Sequence, residues 1–194
     1  MSTPHAAAVD GMVERALDEL GGLDAAVANA GITTFAPFLE MPRAELDRLL
    51  AVNLAGTWAT AQASARAMAA HGGGRIVLLS SVVALRATPG LAAYGMTKAA
   101  IAGLAVQLAT ELGPAGIAVN AVAPGATVTE RTLAEHPRYA EDWGAITPSG
   151  RASSAADVAD AVCFLLSPSA SQLTGQTLVV DGGWSGRSPV PPGY

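Results

Sequence analysis

The sequence predicts an α/β fold, with a parallel sheet at its centre and helices on both faces of the sheet. Strand-like and helix-like segments alternate along the chain. Residues 75–80 are apolar on both faces, as a strand buried inside a parallel sheet is. Polar residues and glycines follow three expected strands, at residues 29–31, 80–81 and 124–125. Ligands of such sheets bind beyond the carboxyl ends of the strands, so these segments predict one common site.

The first half of the chain contains two expected helices and two expected strands. Residues 10–20 repeat apolar side chains at helical spacing, and an apolar strand follows at residues 23–28. Pro42 is expected to begin a long helix that runs to about Ala70, because proline is favoured in the first helical turn. Three glycines then end this helix before the strand at residues 75–80.

The second half continues the alternation. We expect a helix at residues 91–112, a strand at 117–123, a helix at 154–166 and a last strand at 176–180. Ser154 is suited to cap the second of these helices, because its hydroxyl can accept a hydrogen bond from the first helical turn. Residues 126–150 mix polar, proline and aromatic residues and predict a mobile excursion from the sheet.

The chain is expected to form one domain at residues 1–184, followed by a flexible tail at residues 185–194. Its 194 residues are enough for one sizeable core. Hydrophobic residues make up 51% of the chain and charged residues 14%, which argues against disorder. The tail is rich in proline, glycine and serine and is expected to fray.

Charge and hydropathy exclude several classes of protein. The net charge is −5 and no basic stripe is visible, so no nucleic-acid partner is expected. No apolar stretch is long enough without interruption to cross a membrane, so no membrane association is expected. The N-terminus lacks the basic and apolar regions of a signal peptide, which predicts a cytoplasmic protein.

The residues that commonly bind metals do not form a metal-binding pattern. His5, His71 and His136 are scattered and are expected to be exposed to solvent, so no metal site is expected. Cys163 lies in an apolar helical run and is expected to be a buried structural thiol.

Tyr94 and Lys98 are four residues apart in an expected helix, so the phenol and the ammonium group share one face. A tyrosine pKa of about 10 must fall to about 7 for proton transfer at neutral pH, which corresponds to about 4 kcal/mol. One cation at about 4 Å, at an effective dielectric of about 20, supplies about that much before desolvation. Lys98 alone is therefore marginally sufficient, and a second positive group would help. Taken alone, the pair is also compatible with a solvated helix surface.

Ser81 and Asn53 add two further polar groups to this candidate centre. Ser81 lies at a strand end, where its hydroxyl can hold a substrate oxygen in line with the phenol or cap a turn. Asn53 lies inside an otherwise apolar helix, where asparagine is unfavourable and expensive to bury. It is expected either to hold a water or backbone carbonyl, or to be a satisfied structural amide.

The order and spacing of these residues closely resemble the short-chain dehydrogenase/reductase family, over about residues 9–184. The resemblance is carried by residues 29–31, 180–183, Asn53, Ser81, Tyr94, Lys98, Pro124 and Gly125. It implies that Tyr94 is the general acid/base, that Lys98 lowers its pKa and binds the nicotinamide ribose, and that Ser81 orients the substrate oxygen. It further implies that Asn53 holds a water in a proton relay.

The resemblance also implies how a nicotinamide cofactor, NAD or NADP, is contacted. Asn29 and Gly31 match a segment beside the cofactor, and Pro124, Gly125, Thr127 and Thr129 match a segment on the nicotinamide side. Tyr94 and Lys98 are expected to contact the cofactor as well. Residues 130–150 match the substrate lid, in which Tyr139 and Trp143 weakly suggest a partly apolar substrate. A small molecule with a carbonyl or hydroxyl group is the expected substrate.

The family pattern normally begins with a strand, a glycine-rich turn and a helix, and then a second strand. We expect this chain to be a Rossmann-like doubly wound parallel sheet that is N-terminally truncated, with the first βαβ unit missing. The strand at residues 23–28 would then be an edge strand with unpaired backbone groups. Exposed apolar surface of this kind, and the two long helices that form subunit contacts in the family, predict a homo-oligomer (dimer or tetramer).

Three functions are compatible with these residues. The first is an NAD(P)-dependent oxidoreductase that interconverts an alcohol and a carbonyl. The second is a non-redox enzyme (a dehydratase, isomerase or cyclase) that uses the same serine, tyrosine and lysine with no cofactor, because the pyrophosphate-binding loop is absent. The third is a silent partner subunit, against which the retention of all four polar residues argues.

Overall fold

The computed structural model describes the fold of residues 4–187 and the side chains of residues 7–187. Its six strands are β1 (Ala25–Ala28), β2 (Gly74–Leu79), β3 (Ile117–Pro124), β4 (Thr127–Val128), β5 (Ser153–Ser154) and β6 (Thr177–Val180). Strands β1, β2, β3 and β6 form a parallel sheet in that order, and β4 and β5 form a separate parallel pair. The predicted α/β fold with a parallel sheet is confirmed.

Seven α-helices accompany these strands within the described residues. They are α1 (Pro4–Leu20), α2 (Arg43–Leu49), α3 (Thr57–Ala70), α4 (Ala92–Leu112), α5 (Glu130–Glu135), α6 (Tyr139–Ile146) and α7 (Ala155–Leu166). Ser154 accepts a hydrogen bond from Asp157 N and caps α7, as its sequence position predicted. The first helix begins at Pro4, six residues before the start that the apolar pattern indicated.

The core is divided between the two faces of the sheet, which places helices on both sides as predicted. On one face, α3 and α4 pack against β2 and β3 through Met68, Ile101 and Val119. On the other face, α7 packs through Leu165 against Val77 and other strand residues. Alternate residues of β2 enter the two cores, which explains why this strand is apolar on both faces.

The long helix expected after Pro42 is interrupted in its middle. Pro42 precedes α2, a π-helical segment occupies Leu50–Gly56, and α3 continues to Ala70. The wider π-helical turn contains Asn53, whose side chain bonds to a neighbouring loop. A local departure of this kind is common at functional sites and is not visible in apolar periodicity.

The predicted mobile excursion at residues 126–150 is wrong, because most of this segment is helical. It contains β4, α5 and α6, and Thr129 caps α5 in a reciprocal arrangement with Thr132. The capping hydrogen bonds satisfy the first turn of a short helix that has little apolar periodicity of its own.

Cys163 is exposed, which corrects the prediction of a buried thiol. The buried face of α7 is formed by Leu165 and the partly buried Val158 and Val162, and Cys163 lies outside that face.

His71 and His136 are exposed as predicted, and His5 lies outside the described side chains. No cluster of potential metal ligands occurs among the described residues.

Strand β1 is an edge strand within residues 4–187, as the sequence predicted. It pairs with β2 on one side, and Val27 is 39% exposed.

Among residues 4–187, no helix combines the length and hydrophobicity needed to span a bilayer. The expected flexible tail falls mainly on residues 188–194, outside the described range.

Candidate active site

A cavity of about 780 Å³ lies at the carboxyl ends of the central strands. Six of the predicted catalytic and cofactor-contacting residues line it: Ser81, Tyr94, Pro124, Gly125, Thr127 and Thr129. Thr33, Arg131, Tyr139, Trp143 and Trp184 line it as well. The sheet therefore brings together strand-end segments that are far apart in sequence, at the edge that parallel topology predicts.

Tyr94 and Lys98 occupy successive turns of α4, as their spacing predicted. The Lys98 Nζ atom lies 5.6 Å from the centroid of the Tyr94 ring and donates a hydrogen bond to Leu79 O at 2.7 Å. Lys98 is only 5% exposed, and it is the single lysine of the chain. Lys98 is therefore buried and Tyr94 half-buried, which excludes the alternative of a solvated pair on a helix surface.

The protein environment shifts the two pKa values in opposite directions. Burial lowers the pKa of Lys98 to about 8, because the charged ammonium loses hydration. Burial raises the pKa of Tyr94, and the side chains of Ser81 and Thr33 and the charge of Arg131 oppose that rise. In this state Tyr94 is thus a neutral proton donor at neutral pH. Lys98, which donates to Leu79 O, does not lower the Tyr94 pKa as a cation at about 4 Å would.

Arg131 adds a cation to the lining of the cavity. It lies in α5 and its charge acts on both Tyr94 and Tyr139. Its nearest charged partner is Glu135, at 3.7 Å from Nη1. Only the folding of residues 126–150 into helices places this arginine beside the phenol, so no local sequence signal indicated it.

Ser81 caps a short turn, which is one of the two roles that its position suggested. Its Oγ atom accepts a hydrogen bond from Val83 N at 3.3 Å at the start of a short 3₁₀ turn, and the residue lines the cavity. The neighbouring Ser80 Oγ donates to Lys98 O at 2.7 Å. This bond ties the end of β2 to α4 and fixes the distance between Ser81 and the helix that carries Tyr94.

Asn53 connects the loop after β1 to the same helix. Its side chain is fully buried. The Oδ1 atom accepts a hydrogen bond from Ile32 N at 2.8 Å. The Nδ2 atom donates hydrogen bonds to Ile32 O at 3.0 Å and to Thr97 Oγ1 at 3.1 Å. Thr97 Oγ1 in turn donates to Tyr94 O at 2.8 Å. Asn53 is thus a satisfied amide that holds a backbone carbonyl. Thr97 was missed, although a threonine between Tyr94 and Lys98 in an expected helix was a usable signal.

The segments expected to contact a cofactor differ in their placement. Asn29 and Gly31 are exposed and do not line the cavity, but Gly31 lies against Lys98: a Cβ atom there would be 3.4 Å from Nζ. Gly125 lies so close to Asp181 that a Cβ would be 2.6 Å from the Asp181 Cβ. Thr127 Oγ1 donates to Gly125 O at 3.1 Å.

Comparison with known proteins places this arrangement in a family. A family model described as enoyl-(acyl carrier protein) reductase matches residues 4–185. The chain is 39% identical over 175 residues to 3-oxoacyl-(acyl-carrier-protein) reductase FabG of Aquifex aeolicus (strain VF5), covering 88% of this chain and 71% of that protein. It is 36% identical over 181 residues to a 3alpha-hydroxysteroid dehydrogenase of Mediterraneibacter gnavus, covering 93% and 72%.

A solved structure gives the same result. The gluconate 5-dehydrogenase of Burkholderia cenocepacia J2315, in complex with NADP and tartrate, superposes with a TM-score of 0.88 at 33% identity. The match covers 96% of this chain and 74% of that one. Fold and relatives define an α/β oxidoreductase. The chain belongs to the short-chain dehydrogenase/reductase family.

Proposed function

We propose that this chain interconverts an alcohol and a carbonyl in a small-molecule substrate, with NAD or NADP as the hydride partner and Tyr94 as general acid/base. The observation that carries the proposal is that Tyr94 and Ser81 line the same cavity at the carboxyl ends of the strands. The buried Lys98 one turn further along α4 supports it. The family membership supports the reaction class, since its members named above are reductases and dehydrogenases.

The residues around Lys98 fit a nicotinamide ribose. Among the described residues the ammonium group donates one hydrogen bond, to Leu79 O, so two of its three N–H groups remain for ligand oxygens. Because Gly31 has no side chain, the space next to the Lys98 Nζ atom stays open for a ligand. Pro124, Gly125, Thr127 and Thr129 are the residues that would hold the nicotinamide side. When bound, the nicotinamide supplies or accepts the hydride and, in its oxidised form, a positive charge.

The chain's own residues handle the proton and the substrate oxygen. In reduction, Tyr94 Oη donates its proton to the carbonyl oxygen, and Ser81 Oγ donates a hydrogen bond to the same oxygen. In alcohol oxidation, Tyr94 accepts the hydroxyl proton, for which the phenol must first ionise. The charge of Arg131 favours the phenolate. Asn53 acts as a positioning residue, because its amide braces the loop at Ile32 and the turn at Thr97.

Substitution of Tyr94 tests this proposal. In Tyr94→Phe we expect NADPH-dependent reduction of ketones to fall by about 10²–10⁴-fold, the usual contribution of a positioned acid/base. Binding of NADPH is expected to stay within about twofold of wild type, since a ring of the same shape remains. Full activity in the variant, measured by NADPH consumption with a panel of methyl ketones and keto esters, would contradict the assignment.

A non-redox reaction on the same residues is the second candidate. It is favoured by the convergence of Ser81, Tyr94 and Arg131 on the cavity, since these groups alone can move a proton next to a carbonyl. Enolisation would exchange the protons beside a ketone with solvent deuterium in the absence of any nicotinamide. Exchange without cofactor, together with no NAD(P)H oxidation, would replace the first candidate by this one.

We also infer that the chain forms a homo-oligomer, a dimer or tetramer. Helices α3 and α4 enclose an apolar groove of about 250 Å³, lined by Trp58, Ala61, Leu104 and Leu108 among others. Trp58 lines this groove and is 53% exposed, which leaves apolar surface in contact with water. A second copy of the chain would cover it.

A further inference from the structure

The cavity beside Tyr94 collects a large share of the few aromatic residues of the chain. The chain has three tryptophans, three tyrosines and three phenylalanines. Two of the tryptophans, two of the tyrosines and one phenylalanine line this cavity: Trp143, Trp184, Tyr94, Tyr139 and Phe35. The central cores are instead built from aliphatic side chains. The aromatic residues are therefore concentrated at the candidate site and not in the core of the protein.

Three of these side chains, Tyr139, Trp143 and Trp184, form a continuous aromatic wall. The ring centroids of Tyr139 and Trp143 are 6.0 Å apart at an interplanar angle of 45°. Those of Trp143 and Trp184 are 5.7 Å apart at 70°. Tilted and edge-to-face pairs are the geometries that aromatic rings prefer. All three side chains are half-buried, so each packs on a neighbour and keeps part of its surface free.

The wall is anchored by the turn that carries Trp184. The Asp181 carboxylate accepts hydrogen bonds from Gly183 N at 2.8 Å and Ser185 N at 2.7 Å. Gly182 has a φ of +62°, and a Cβ there would lie 2.6 Å from Thr147 Cγ2, so the turn fits closely against the end of α6. Trp184 is therefore held in place independently of any ligand, and a preformed surface binds with less loss of conformational entropy.

The wall is also uncharged. Burial raises the pKa of Tyr139, so its phenol is neutral at physiological pH. The charged residues that line the cavity, Arg131, Glu135 and Asp142, pair with one another or with Arg138. The wall is thus suited to an apolar surface and offers little to a strongly hydrated group.

We propose that the substrate carries a flat apolar ring system next to its carbonyl or hydroxyl group, and that the aromatic wall binds this ring. The inference rests on the proposed function, because it takes the cavity beside Tyr94 as the substrate site. A flat ring gains dispersion contact and area burial against tryptophan and tyrosine. A short aliphatic ketone leaves most of the wall in contact with water.

Two methyl ketones that differ in one substituent test the proposal. Acetophenone carries a phenyl group where 2-butanone carries an ethyl group. Calorimetric titration of the whole chain without nicotinamide is expected to give about tenfold tighter binding of acetophenone, the ratio that corresponds to about 1.4 kcal/mol. Because the measurement needs no turnover, it remains decisive even if Tyr94→Phe proves fully active. Equal affinities, or no binding of acetophenone, would overturn the proposal.

Variants locate the binding surface. Trp143→Leu is expected to lose most of the preference for acetophenone, and Trp143→Phe to retain it, because the ring face is kept. Trp58→Leu is the matched control: Trp58 lies in the groove between α3 and α4, remote from the aromatic wall, and its substitution is expected to change nothing. An equal loss in Trp58→Leu would contradict the assignment. So would a Trp143→Leu variant with weakened NADPH binding and unchanged acetophenone binding, since the wall would then contact the cofactor.

Discussion

At the scale of single residues, the environment of Lys98 makes a quantitative prediction about stability and pH. Its pKa is about 8 in the folded chain, against 10.5 for an exposed lysine. At pH values between about 8 and 10.5, Lys98 is protonated in the unfolded chain but not in the folded chain, so the free energy of unfolding rises with pH. We expect the free energy of unfolding to increase by about 1.4 kcal/mol per pH unit between about pH 8 and 10. Urea unfolding at several pH values measures this slope.

Lys98→Met provides the comparison, because the variant has no ammonium group to desolvate. Its unfolding free energy is expected to be flat over the same window. The pKa can also be followed directly: a chain labelled with ¹⁵N-lysine has one lysine Nζ signal, since Lys98 is the single lysine. Titration of that signal at the ordinary lysine value would contradict the account.

Arg131 makes a second prediction at this scale. Its positive charge lowers the pKa of Tyr94 against the larger effect of burial. In Arg131→Gln the Tyr94 pKa is therefore expected to rise further, and the rate of alcohol oxidation to reach its maximum at higher pH. NMR of ring-labelled tyrosine measures the shift. Arg138→Gln is the matched control, because Arg138 pairs with Glu141 and Asp142 and does not line the cavity. An equal effect in both variants would point to net charge alone.

How far single residues were predictable depended on whether their signal was local. Tyr94 and Lys98 were placed correctly because four-residue spacing on a helix fixes a common face. The direction of the Tyr94 pKa shift was not predictable, since it depends on burial by segments far apart in sequence. The role of Arg131 was not predictable for the same reason, because its charge acts on Tyr94 only through the fold of residues 126–150.

At the scale of secondary structure, Asn53 joins the π-helical segment to the loop after β1 and to α4. Asn53→Ala removes three hydrogen bonds and leaves partly buried backbone groups of Ile32 unpaired, so we expect a loss of ~3 kcal/mol in unfolding free energy. Asn120→Ala is a matched control, because Asn120 is equally buried and bonds to Leu173 O and Gln176 N away from the cavity. Both variants are expected to be destabilised in urea unfolding.

The two variants should differ in ligand binding. Asn53→Ala is expected to weaken NADPH binding at least severalfold, because the brace beside Lys98 is lost, whereas Asn120→Ala retains wild-type affinity at a temperature where both are folded. Equal NADPH affinity in the two variants would show that Asn53 serves stability alone.

Element prediction succeeded where glycines bound a run of apolar residues, and it failed where short-range polar contacts decide. Strand β2, which is apolar on both faces, and helix α4 were found because glycines mark where their apolar runs begin or end. Helices α5 and α6 were missed because a capping pair, Thr129 and Thr132, and contacts among aromatic side chains hold them. The π-helical turn at Asn53 was missed for a similar reason. It is accompanied by a tertiary hydrogen bond to Ile32, and no repeat of apolar residues indicates it.

At the scale of the whole molecule, the groove between α3 and α4 predicts association of copies. Trp58→Glu places a charge in this apolar surface and is expected to shift the chain towards monomer, as measured by light scattering after size-exclusion chromatography. Phe164→Glu is the control, since Phe164 is an exposed aromatic residue on α7, outside this groove. A wild-type chain that is monomeric at micromolar concentration would refute the assignment of this face.

The central claim, that this chain is a nicotinamide-dependent oxidoreductase, is tested most directly by cofactor titration. The purified 194-residue chain is titrated with NADH and with NADPH while cofactor fluorescence is followed. We predict saturable binding of at least one of them below about 1 mM, or stronger than about −4 kcal/mol. Binding should weaken in Lys98→Met and persist in Tyr94→Phe. Absence of binding at millimolar concentrations of both cofactors would contradict the account.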